Sequence, residues 1–153
     1  TELVDAVRGV CADFRNDVRQ LWRRLVFNLL ITNTDDHLRN TGFLYAGNGL
    51  WRLSPAFDIN PFPDRLQESK TWLSEDTGPI TSAEALLQQA PRFLMTPDDA
   101  LSSLAEVAHA VAGWRKLAAS SMIGMSRQDV ADFEPAFQHA RMEAALKLVA
   151  GTA

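Results

Sequence analysis

Apolar side chains recur at three- and four-residue intervals along the first part of the chain. Phe14, Val18, Leu21, Trp22, Leu25, Val26 and Leu29 fall on one face, which predicts an amphipathic helix over residues 14–32. Arg15, Arg19 and Arg23 recur on another face. Asp13 and Asp17 interrupt that basic stripe, so it reads as a solvated helix surface rather than a nucleic-acid contact. The pattern then changes. "GFLY" (42–45) and "LWRL" (50–53) read as two short strands, and "AGNG" between them supplies the φ > 0 residues of a tight hairpin. "SPAFDINPFPD" breaks regularity with its prolines. Residues 61–80 show no clear period and read as a long loop.

From about residue 82 the chain reads as helical. Ser82 can cap a short helix to about Gln89. "TPDD" (96–99) is a strong start, with Thr96 as N-cap, Pro97 at N1 and acids in the first turn. Leu101, Leu104, Val107, Ala108, Val111 and Leu117 carry that helix to about Ala119. "IGMS" gives a turn, Ser126 offers another start, and "DFEPAF" restarts the helix with Asp132 as N-cap. Phe133, Phe137, Met142, Ala145, Leu146 and Val149 are expected to face the core. The expected fold is mainly α with one small β-hairpin.

A length of 153 residues suits one domain. Hydrophobic content of 46% and charged content of 22% place it among globular domains, not disordered ones. The net charge of −4, spread evenly, gives no overall pull toward nucleic acid or anionic membrane, so no direct nucleic-acid binding is expected. No apolar run is long enough to span a membrane, and no secretory signal opens the chain. The single cysteine, Cys11, reads as a small core residue, and the lack of disulfides fits a cytoplasmic location.

One cluster stands apart. "NTDDHLRN", Asn33 to Asn40, places two adjacent Asp, a His, an Arg and two Asn directly after the apolar helix. Asp35 and Asn40 have the spacing Asp-x-x-x-x-Asn, at which protein kinases place a catalytic Asp and a Mg²⁺-binding Asn. The chemistry explains the residue types. An Asp accepts or orients the proton of an attacking hydroxyl. An Asn offers a hard cation a neutral oxygen that does not repel phosphate. A second acid must hold the metal on the phosphates, and Asp58 in "AFDIN" follows the hairpin, where a kinase carries its metal Asp. Three alternatives stand beside this. Asp35, Asn40 and Asp58 could be loop caps. Asp35, Asp36, His37 and Asp58 could form a metal site, as in a metal-dependent hydrolase. The fold could also serve as a non-catalytic interaction module.

The combination of "NTDDHLRN", a hairpin and "SPAFDIN" closely resembles the HipA-like serine/threonine kinases of bacterial toxin–antitoxin systems. The resemblance is sharpest over about residues 20–62. It implies the C-terminal, helical lobe of a protein-kinase-like fold, with a catalytic loop at about 31–41, a hairpin at about 42–53, a metal-Asp segment at 54–60 and a helical subdomain at about 81–150. It implies phosphoryl transfer from ATP, with Mg²⁺, to a protein hydroxyl. Asp35 would be the catalytic Asp, Asn40 and Asp58 the Mg²⁺ ligands, and His37 the family's loop His, an organiser rather than a base. A DNA-binding antitoxin and a protein substrate would be partners.

Other residues are weighed on the same terms. Asp36 could assist the metal or be a solvated loop acid, and Arg39 could meet phosphate or pair with Asp36. His109 and His139 read as ordinary helix residues. Trp22, Trp51 and Trp114 read as core or hairpin aromatics, while Trp72 could shape a substrate surface. Ser69, Thr71, Ser74 and Thr77 sit where kinases carry an activation segment, but read as a polar loop. No Gly-rich phosphate loop is found, and none of the three lysines, Lys70, Lys116 and Lys147, lies on a strand before the catalytic loop. With Thr1 at the start, residues 1–153 are expected to be one lobe whose N-terminal, ATP-cradling partner lies elsewhere, and to be inactive by themselves.

Overall fold

The structure, a computed structural model, describes residues 2–63, 69–75 and 78–151. Seven helices and two short ladders are present among them. Helix α1 spans Glu2–Val7, a short element with no strong periodic signal, and buries Val4 and Val7. Helix α2 spans Phe14–Leu30 and is the axle of the molecule. Asp13 caps it, its side chain accepting from the Asn16 N–H. The predicted apolar face is the buried one, and Trp22 is wholly enclosed, its Nε1–H donating to the Leu86 carbonyl at 3.1 Å.

The arginine stripe departs from expectation. Arg15 is exposed, but Arg19 and Arg23 are half-buried against helix α4 (Pro97–Ala112). Arg19 pairs with Asp99 at 2.9 Å, and Arg23 bonds Glu106 and Ser103. Long stems that cover a neighbouring helix while their heads find acids leave no continuous solvated face. Asp17, read as part of that face, is buried.

Strands β1 (Phe43–Gly47) and β2 (Leu50–Leu53) form the expected antiparallel hairpin, in register Phe43↔Leu53 and Tyr45↔Trp51. The turn runs through Gly47, Asn48 and Gly49 at φ of +96°, +53° and +75°, the region in which Gly and Asn carry least strain. Tyr45 and Trp51 meet edge to face, and Trp51 also exchanges backbone bonds with Val10 and Ala12. Inside the span read as loop there is a second, minimal antiparallel pair, β3 (Trp72–Ser74) with β4 (Gly78–Pro79), which buries Leu73 against the helices. Two or three residues per strand are too few to show alternation in a sequence.

The helical half follows its caps. Ser82 caps α3 (Ala83–Gln89), and Thr96 with Asp99 forms a complete capping box on α4. Helix α4 ends at Gly113, earlier than expected, and a separate α5 (Trp114–Ala118) follows. A second capping box, Ser126 with Asp129, starts α6 (Arg127–Phe137). The expected restart at Asp132 does not occur. Helix α6 is already running there and passes through Pro135; the break comes at Gln138, and His139 caps α7 (Ala140–Ala150). Trp114 stacks on Phe137 at 4.4 Å. Helix α2 packs against α3, α4 and α7 in one core, to which α7 adds Met142 and Ala145. Among the described residues, no helix is long and apolar enough to cross a membrane. Cys11 is half-buried at the core margin, its thiol pushed up to about 11 by burial and by Asp17, so it is an unreactive thiol.

Candidate active site

The site begins where α2 stops. Ile31 is the C-cap and Thr32 follows at φ +54°, the left-handed position that Gly usually fills. The Asn33 N–H then reaches back to the Asn28 carbonyl at 2.9 Å, the long bond of a Schellman closure. The Asn33 amide repeats the connection, donating to Asn28 Oδ1 at 3.2 Å, and both side chains are buried. Thr32 donates to the Phe62 carbonyl at 2.8 Å, tying the closure to the segment after Asp58. The helix therefore ends in polar side chains because they fasten the loop in two directions.

From this closure the loop is built outward. Asn33 Oδ1 accepts from the Asp35 N–H at 3.3 Å. A single 3₁₀ turn, Leu38–Asn40, follows, with the Asn40 N–H on the His37 carbonyl at 2.9 Å. The Asn40 side chain donates through Nδ2 to the Asp35 carbonyl at 3.0 Å. That bond engages the amide nitrogen and leaves the amide oxygen without a role in the loop's own hydrogen bonds among the described residues. His37 contributes its backbone to the turn. Its Nε2 lies 3.9 Å from Asp35 Oδ1, too far for a hydrogen bond, and its Nδ1 has no partner among the described residues.

Asp58 arrives by a separate route. Ser54 is buried, donates its N–H to the Gly42 carbonyl at 2.9 Å, and accepts at its own carbonyl from Arg24 of α2. A Cβ on Gly42 would stand 3.1 Å from both the Phe57 ring and Ser54 Oγ, so the absence of a side chain lets the 54–58 segment lie against the hairpin. Asp58 itself has φ +52° and accepts from Asn60 at 3.0 Å. A non-glycine residue held in that region marks a place where the fold imposes a conformation.

Asn40, Asp58, His37 and Asp36 line one cleft of about 550 Å³, together with Lys70 and Trp72. Asp35 is not among the lining residues. It adjoins the cleft through Asn40, which holds its carbonyl, and through Lys70, whose ammonium donates to its Oδ1. Lys70 is the main reason that the Asp35 carboxyl lies below the usual carboxylate range, with His37 adding a smaller effect. Asp36 shows the opposite behaviour. Burial holds its carboxyl above the usual range, although Ser69 donates to both of its oxygens at 2.9 and 3.1 Å. It is neither a solvated acid nor a partner of Arg39, which is exposed.

Several contacts had no signal in the local pattern. Ser69, Lys70 and Thr71 all fasten to the 34–36 loop across more than thirty residues of sequence. Asn28 carried the one available hint, a polar residue on an otherwise apolar helix face. Ser69 and Thr71 serve as anchors; Thr77 lies outside the described residues. Trp72 lines the cleft and is 57% exposed. Of the hydrolase grouping, Asp36, His37 and Asp58 line the cleft and Asp35 adjoins it. Among the described residues, no three His, Cys, Asp or Glu form a metal-binding group. Asp35 is engaged by Lys70 and Asp36 by Ser69.

A family model for the HipA-like C-terminal domain matches residues 1–115. Among curated proteins, one from Haemophilus influenzae (strain ATCC 51907 / DSM 11121 / KW20 / Rd), named "Putative kinase", is 37% identical over 49 residues. That match covers 30% of this chain and 14% of the relative, so the chain spans a small part of the relative's length. No solved structure matches the chain.

Proposed function

The chain belongs to the HipA-like C-terminal domain family, and from that premise we propose that it is the catalytic part of a serine/threonine protein kinase that transfers phosphate from Mg²⁺-ATP to a protein hydroxyl. One observation carries the reading. Asn40 and Asp58, delivered by different segments, line the same cleft, and Asn40 is hydrogen-bonded to Asp35. Two hard oxygens from protein are what Mg²⁺ needs when water and phosphate complete its octahedron; a dedicated all-protein cage would need more. The kinase relative in Haemophilus influenzae supports the same class.

Bound Mg²⁺-ATP supplies the electrophilic phosphorus and most of the charge neutralisation. The Asn40 amide oxygen and the Asp58 carboxylate would hold the cation. Asp35 would orient the acceptor hydroxyl and take its proton on a carboxylate oxygen. The closure through Asn33 and Asn28 holds that loop in place, so little reorganisation remains for the reacting state. His37 organises the turn. In the family's setting the protein is the toxin of a toxin–antitoxin pair, working in the cytoplasm, held by a DNA-binding antitoxin and completed by an ATP-cradling N-terminal lobe.

The test is radiolabelled phosphate transfer by the full-length protein that carries this chain. Asp35→Ala and Asp58→Ala each reduce incorporation at least a hundredfold, the scale of losing one preorganised charge-handling group. Incorporation within twofold of the parent in either variant overturns the assigned roles.

A further inference from the structure

We propose that Lys70 is a positioning residue of this site: carried on a strap of residues 69–71 that is fastened to the loop at 34–36, its ammonium holds the Asp35 carboxylate beside the cleft and offsets its charge there. The inference rests on the reading of Asp35 as the residue that orients the acceptor hydroxyl.

The strap is held at every residue. Ser69 Oγ donates to the Asp36 carboxylate and accepts from the Thr71 N–H at 3.1 Å. The Lys70 N–H donates to the Thr34 carbonyl at 3.4 Å. Thr71 Oγ1 donates to the Asp36 carbonyl. An isolated surface Lys–Asp pair gives up much of its attraction to the entropy of two free side chains. Here residues 69–71 are already pinned to Thr34 and Asp36, the two neighbours of Asp35, so far less ordering remains to be done. Lys70 also lines the cleft with Asn40 and Asp58.

The geometry suits a positioning role for two reasons. The ammonium takes Oδ1 of Asp35, which restrains the carboxylate and leaves Oδ2 for a hydroxyl. A bare carboxylate beside a phosphoryl group also repels it, and a paired ammonium offsets that charge. No lysine was found on a strand ahead of the catalytic loop. This one reaches the loop from behind in sequence, past the metal-Asp segment.

The chain contains three lysines, so Lys116 and Lys147, both exposed, serve as internal references. Pulse acetylation with acetic anhydride, read by mass spectrometry on peptides cut at glutamate, measures each amine's rate. In Asp35→Asn the Lys70 rate rises at least threefold relative to both references. An unchanged ratio shows that the contact is not made and overturns the proposal. In the full-length protein that carries this chain, Lys70→Met lowers kcat at least tenfold with the acceptor KM within twofold, and Lys70→Arg recovers most of the loss. A kcat for Lys70→Met within twofold of the parent overturns it as well. The acetylation ratio needs no catalysis, so it reads the strap even where Lys70→Met folds poorly. Transfer that survives in Asp35→Ala overturns the reading of Asp35 on which this inference rests, separately from the acetylation result.

Discussion

Asn33 is bonded twice to Asn28, once through its backbone N–H at 2.9 Å and once through its side-chain amide at 3.2 Å. The two residues are five apart, one on the last turn of α2 and one beyond its end. This pair of hydrogen bonds turns a helix terminus into the fixed base of the candidate catalytic loop, because the oxygen of the Asn33 amide accepts from the Asp35 N–H.

Asn33→Ala leaves buried Asn28 Oδ1 without its donor and frees the Asp35 backbone. The expected loss is about 1–3 kcal/mol, the cost of stranding a buried polar group. The double variant with Asn28→Ala removes both partners and costs less than the sum of the singles. Urea unfolding measures all three; strict additivity would show that the pair is not coupled.

Asp99 serves two structures at once. Its carboxylate receives the Thr96 N–H in the α4 capping box and Arg19 from α2. Asp99→Ala therefore loses about 1–2 kcal/mol, most of it from the cap. Arg19→Ala loses less, since a pair about two-fifths exposed contributes roughly 0–1 kcal/mol. A double-mutant cycle with coupling above about 2 kcal/mol would contradict the view that the cap dominates.

These contacts show where local pattern reaches and where it stops. The α2 face, the hairpin with its Gly-Asn-Gly turn, and the Ser82, Thr96 and Ser126 caps were legible because each is encoded within a few residues. The "NTDDHLRN" cluster and Asp58 were legible as types and spacing. The fastening of Ser69, Lys70 and Thr71 to the loop at 34–36 was not, since nothing in an aperiodic segment says which distant loop it meets. The arginine face misled for a related reason: a charged stripe reads the same whether water or another helix's acids lie across from it. Asp132 misled because a good capping residue does not start a helix that is already running.

Asp58 sits at φ +52°, a conformation that Asn adopts at least as readily as Asp. Asp58→Asn is therefore expected to unfold within about 0.5 kcal/mol of the parent, as substitutions without a packing change do. Phosphate transfer by the full-length protein falls at least a hundredfold, because a neutral amide replaces the anionic oxygen proposed for Mg²⁺. Loss of stability and activity together would mean that Asp58 is a structural turn residue instead.

His139 supplies the last test, in pH. Its Nδ1 accepts from the Met142 N–H at 3.3 Å, which places the proton on Nε2, and Nε2 stands 3.1 Å from the Leu30 carbonyl, one turn before the loop closure. Burial holds its pKa below the usual histidine value; Leu30 and Glu143 favour the charged form, Arg141 opposes it, and burial prevails. A second proton must go to Nδ1, and it removes the cap on α7. The unfolded chain takes that proton at the ordinary value of about 6.5, before the folded chain does. This contribution is therefore full above about pH 6.5, is lost as pH falls from there to the lower folded value, and then levels off. His139→Asn keeps a capping oxygen but cannot titrate. Urea midpoints measured at pH 7.5 and 5 should fall further in the parent than in His139→Asn. Parallel declines in the two proteins would show that His139 is not the group responsible.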